Sequence, residues 1–117
     1  MSESKLRTQS MDFAVYIVNL VKNLKENRES IISNQIGRSG TSIGANIREA
    51  QYAHGKADFV SKLQIALKEA NETSYWLLLL SETDYIVPAE YDRLESLCRE
   101  LRITLISSIN TAKGNIK

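Results

Sequence analysis

The chain has 117 residues and 13.2 kDa, 43% hydrophobic, 25% charged and 7% aromatic, with five glycines, one proline and one cysteine. That make-up fits one globular domain, too short for two cores and long enough to fold without a disulfide or a structural metal. The net charge of +1 excludes a strong overall field toward nucleic acid or membrane, although Lys and Arg are slightly in excess before residue 63 and Asp and Glu after it.

No apolar leader follows Met1, and the most apolar run, Tyr75 to Leu80, is far below the roughly 20 residues of a membrane helix. The sequence therefore predicts a soluble, cytoplasmic protein with no membrane partner. Apolar residues recur every three or four positions and strict alternation never lasts, so the chain reads as all-α. After a tail of about residues 1–9, Ser10 caps a first helix reaching to about residue 26, with Phe13, Ile17, Leu20 and Leu24 on one stripe. Asn27-Arg28-Glu29-Ser30 supplies a break and a new cap.

Ile32, Ile36, Ile43, Ile47 and Ala50 make the second stripe, with Gly55 placed as its C-terminal stop. Phe59, Leu63, Ala66, Ala70, Leu77 and Leu80 make the third, from about residue 57 to 83. Pro88 suits the first turn of a fourth helix, which continues through Leu94, Leu97, Cys98, Leu101, Leu105 and Ala112 to a short tail at 114–117. Short connections predict a single domain over residues 1–117, an antiparallel up-down-up-down four-helix bundle. Cys98 lies on the apolar stripe and reads as a core residue rather than a nucleophile.

Catalytic motifs fail on context. Gly40-Thr41-Ser42-Ile43-Gly44 matches the G-x-S-x-G elbow, yet no strand precedes it and the sole histidine, His54, lies further along the same segment. Gly37-Arg38-Ser39-Gly40 resembles a backbone-clamping GXXG loop without the sheet that module needs. One histidine cannot supply a di-iron carboxylate site, so no metal, cofactor, small-molecule substrate or enzymatic activity is expected. Two parses of the glycines stand open. Gly37, Gly40 and Gly44 either share the side of a helix that a neighbour approaches closely, or residues 37–45 form a loop before a capping box at Asn46-Ile47-Arg48-Glu49.

On a continuous helix, Arg38, Ser42, Asn46 and Glu49 share a polar stripe, and helix three offers Glu69 and Glu72, which predicts a structural polar network between the two. If Arg38 neutralises a partly buried carboxylate there, Arg38→Ala costs about 3 kcal/mol. The bundle also carries more apolar surface than one core can bury. Trp76 and Leu79 point away from Leu63 and Leu77, and Met11, Val15 and Val18 lie opposite Phe13, Ile17 and Leu24. These second faces predict self-association, helix one of one subunit against helix three of the next.

From Gln35 to Leu80 the chain resembles the four-helix-bundle proteins encoded in intervening sequences of bacterial 23S rRNA genes. The resemblance is carried by Gln35, Arg38, Ser39, Ser42, Ile43, Asn46, Ile47 and Glu49, then Phe59, Leu63, Ala66, Leu67, Glu69, Glu72 and Leu77. It implies a left-handed bundle, helical from Ser30 to Tyr52, with Gly44 where relatives often place a proline. It also implies a homo-oligomer, with five-subunit rings typical, and no enzymatic activity. A further implied kinship is to the accessory variability protein of diversity-generating retroelements, a basic pentamer associated with nucleic acid and a reverse transcriptase. The near-neutral charge departs from those basic relatives. An alternative reading, a nucleic-acid-binding accessory protein, would use Lys22, Lys25, Arg28 and Arg48 as a basic rim.

Overall fold

The computed structural model describes residues 2–114. They form four helices, α1 (Ser2–Glu26), α2 (Ile31–Ala50), α3 (Lys56–Glu82) and α4 (Pro88–Gly114), in a rod of 49 × 21 × 19 Å. Among the described residues no helix is long and apolar enough to cross a membrane. Each helix packs on two neighbours, α1 on α2 and α4, and α3 on α2 and α4. Gly37, Gly40 and Gly44 face Val21, Ile17 and Ser10, so α2 runs against α1. Arg38 meets Glu69 while Glu49 meets Lys62, and Ser74 meets Glu95 while Cys98 meets Ala70, so α3 and α4 reverse in turn. Arg93 stacks over the Tyr16 ring at 4.6 Å and links α4 to α1.

The apolar stripes converge in one core whose largest enclosed side chains include Phe13, Ile17, Ile43, Leu63, Leu77 and Leu101. Residues 37–45 are helical throughout, which decides between the two parses of the glycines in favour of close approach. The first helix starts at Ser2, not at Ser10, so residues 2–9 of the expected tail form two helical turns, while Met1 lies outside the described residues. Leu6 explains the difference, because it lies one turn before Ser10 on the same stripe and is fully buried. Ser10 itself is buried mid-helix, its hydroxyl donating to the Arg7 carbonyl at 3.3 Å. Residues 115–117 of the predicted C-terminal tail lie outside the described residues, and Gly114 ends α4.

Turn chemistry differs from expectation at two places. Ser30 makes no side-chain cap bond; the buried Glu29 carboxylate instead accepts the N–H groups of Ile31 and Ile32 at 3.1 Å and of Ser33 at 2.7 Å. Three of the orphan donors at the start of α2 are thereby satisfied by one side chain. Arg28 adopts a left-handed φ of 65°, which lets the Glu29 N–H return to the Leu24 carbonyl at 2.8 Å. Helix α2 stops at Ala50, and Gly55 precedes α3 instead of ending α2. Ala50 is the last buried residue of its stripe, whereas Tyr52 is 81% exposed, so another turn would bury nothing.

Candidate interaction surfaces

The expected polar network between α2 and α3 divides into three parts. Arg38 of α2 donates to Glu69 Oε1 at 3.1 Å and to Glu72 Oε2, and Trp76 Nε1 donates to the same Glu72 oxygen at 3.0 Å. The indole N–H, and after it the Arg38 guanidinium, holds the Glu72 carboxyl below the usual carboxylate range. Hydrogen bonding to Glu72 in turn raises the Arg38 pKa. Ser42 and Asn46 do not join this group, since each donates within α2, to the carbonyls of Arg38 and Ser42. Glu49 pairs separately with Lys62 at 3.5 Å. Arg38 itself is 49% exposed, whereas the Glu69 and Glu72 side chains it neutralises are 17% and 32% exposed, so the partly buried carboxylate that the expectation requires is present and Arg38→Ala remains its test. Beneath the ion pairs, Ser39 and Thr73 share a buried hydroxyl bond at 2.8 Å that the periodicity had not revealed.

A second cluster, between α3 and α4, was not anticipated. Arg102 pairs with Glu95 at 3.0 Å, Ser74 donates to the other Glu95 oxygen at 2.7 Å, and Arg102 also donates to the Ser74 hydroxyl. Glu95 and Arg102 lie seven residues apart, two turns on one face, which is the signal that could have found them. Cys98 sits behind them, fully buried, its thiol donating to the Ala70 carbonyl at 3.3 Å. Burial raises its pKa, so the thiol stays protonated and is a poor nucleophile. Among the described residues no group of three His, Cys, Asp or Glu could hold a metal. Ser42, the apparent elbow serine, sits within helix α2 with its hydroxyl donating to the Arg38 carbonyl, and His54 lies in the α2–α3 connection.

The exposed apolar surface is partly where the periodicity puts it. Met11, Val15 and Val18 are 54%, 52% and 43% exposed and form one stripe on the outer side of α1. Trp76 and Leu79 differ from expectation, being half-buried and packed against the core. The outward apolar residues of α3 are Ile65, Tyr75 and Leu78 instead, and α4 adds Ile103 and Ile106. A single-helix projection treats the far side as free, whereas α3 is flanked by both α2 and α4 and is covered over a wider arc. The four candidate basic residues do not form one rim. Lys22, Lys25 and Arg28 lie toward the α1–α2 turn, with Lys25 donating to Asn34 at 2.7 Å, while Arg48 lies at the opposite end of α2 beside Arg7.

The family model described as 23S rRNA-intervening sequence protein matches residues 2–107. A crystal structure of a protein of unknown function from the S23 ribosomal protein family of Bacteroides thetaiotaomicron VPI-5482 is 52% identical. It superposes with a TM-score of 0.92, and the similarity covers 94% of this chain and 99% of that one. No curated protein matches the chain.

Proposed function

Because the chain belongs to the 23S rRNA-intervening sequence protein family, we propose that it is a non-enzymatic helical-bundle protein that works as a homo-oligomer, a ring of five subunits as family resemblance leads one to expect. The observation that carries this reading is the α1 stripe of Met11, Val15 and Val18, apolar yet about half exposed. Complete burial of such a side chain is worth roughly 1.5–3 kcal/mol and about half of that is still available here, enough to drive association once several meet a partner surface. Ring closure joins different surfaces of neighbouring subunits. The α1 stripe of one subunit would meet the outward Tyr75 and Leu78 of α3, or Ile103 and Ile106 of α4, on the next. The absence of a catalytic role is supported by the engagement of Ser42, Cys98 and Glu72 in structural bonds. Light scattering of the purified chain tests the assembly, and a monomer at micromolar concentration refutes it.

A nucleic-acid-binding accessory role is the second reading, favoured by the exposed Lys22, Lys25 and Arg28 near one end of the rod, which a ring would repeat around its rim. Titration of labelled RNA and duplex DNA at two salt concentrations tests it. Affinity falling steeply with salt supports the rim, and no binding at low salt removes it.

A further inference from the structure

Between the first half of α1 and the last half of α2 the surface opens into a cavity of about 160 Å³. Met11, Ala14, Ala45 and Ile47 give it an apolar floor, and Gly44 adds no side chain in front of Ser10. Both hydroxyls in its wall donate to backbone, Ser10 to the Arg7 carbonyl and Thr41 to the Gly37 carbonyl. The remaining donors are the guanidiniums of Arg7 and Arg48. Among the described side chains neither meets an acid. Arg38 and Arg102 are each neutralised by glutamates, and Glu49, next in sequence to Arg48, is taken by Lys62.

Two guanidiniums that meet no acid among the described side chains, above an apolar floor, define the complementary ligand. A guanidinium presents a planar fork of donors that matches carboxylate or phosphate oxygens. A carboxylate would balance one of the two charges, whereas a phosphomonoester carries about −1.5 to −2 at neutral pH and balances both. We propose that this cavity binds a phosphomonoester, with Arg7 and Arg48 on the phosphate and the floor of Met11, Ala14 and Ala45 against the organic group it esterifies.

Phenyl phosphate titrated calorimetrically into the full chain, with phenol and inorganic phosphate in parallel, tests the proposal. Phenyl phosphate should bind, phenol should not, and inorganic phosphate should bind more weakly for want of a group to cover the floor. Arg7→Gln and Arg48→Gln should each weaken phenyl phosphate about tenfold. Ala45→Leu, which fills the floor and keeps both arginines, should weaken it as well. All three positions are exposed, so circular dichroism should find each variant folded. Adenosine 5′-monophosphate and a 5′-phosphorylated oligonucleotide, each against its dephosphorylated counterpart, separate a free nucleotide from a strand end as the source of the phosphate. Absence of binding at millimolar phenyl phosphate, or equal affinity in the wild type and the double arginine variant, would overturn the proposal. Met11 also belongs to the α1 stripe, so light scattering with and without phenyl phosphate keeps this outcome separate from that of assembly.

Discussion

Ile17 of α1 fills the space in which Gly40 of α2 would carry a side chain: a Cβ placed on Gly40 comes within 2.9 Å of both Cγ1 and Cγ2 of Ile17. Ile17 is completely buried and cannot swing aside, so the glycine sets how closely the two helices approach. Gly44, one turn on, is different, because a Cβ there lies 3.4 Å or more from Ser10, close to ordinary contact. Gly40→Ala should therefore destabilise the fold by about 1–2 kcal/mol, overpacking exceeding the gain in helix propensity. Gly44→Ala should stabilise it by up to about 1 kcal/mol. Urea midpoints that move in the same direction for both variants would contradict this account of the α1–α2 seam.

Glu29 supplies a second expectation. Its carboxylate accepts three backbone N–H groups at the start of α2 while nearly out of solvent. Glu29→Ala should cost about 1–2 kcal/mol, comparable to the loss of a good cap, and Ser30→Ala should cost little because Ser30 makes no cap bond. A larger loss for Ser30→Ala than for Glu29→Ala in thermal denaturation would show that the cap is misassigned.

The depressed pKa of Glu72 gives stability a pH dependence of definite sign. A carboxyl whose folded pKa lies below its unfolded value contributes fully above the unfolded value, about 4.3, and loses that contribution as pH falls through the folded one. Because the group is partly exposed, the amount is below about 1 kcal/mol. Acidification below about pH 4 should accordingly destabilise the wild type more than Glu72→Gln. Trp76→Phe, which removes the indole donor, should move the Glu72 titration upward in NMR, and an unmoved titration would assign the shift to Arg38 alone.

The helices were legible because their buried residues keep helical spacing, and every apolar stripe named from the sequence enters the one core. Helix starts were less so. Ser10 and Ser30 have the side chains of caps, but Leu6 carries the α1 stripe one turn further back and Glu29 reaches the α2 donors first. The α2–α3 ion pairs were partly visible because Arg38, Glu69 and Glu72 lie on facing stripes. Ser42 and Asn46 share that stripe without joining, since a short side chain can satisfy itself on its own helix, while Glu49 reaches Lys62 of α3 instead. The Ser74, Glu95 and Arg102 cluster and the Arg7–Arg48 cavity depend on the register between helices, which local periodicity does not encode.

Register also changes which substitution isolates the contact face. Leu79 is half-buried against the core, so Leu79→Glu should harm folding together with association. Val15 is about half exposed on the outer side of α1, and Val15→Glu should leave the helical content and unfolding cooperativity intact while reducing the assembled mass. Unchanged mass in both Val15→Glu and Val18→Glu would remove the α1 stripe from the contact.

Self-association is the central claim, and multi-angle light scattering on the wild-type chain at micromolar concentration measures it most directly. The account predicts a discrete assembly, with five times the 13.2 kDa chain mass as the expected value. A particle of one chain mass would contradict it, because the Met11, Val15 and Val18 stripe would then be left in water.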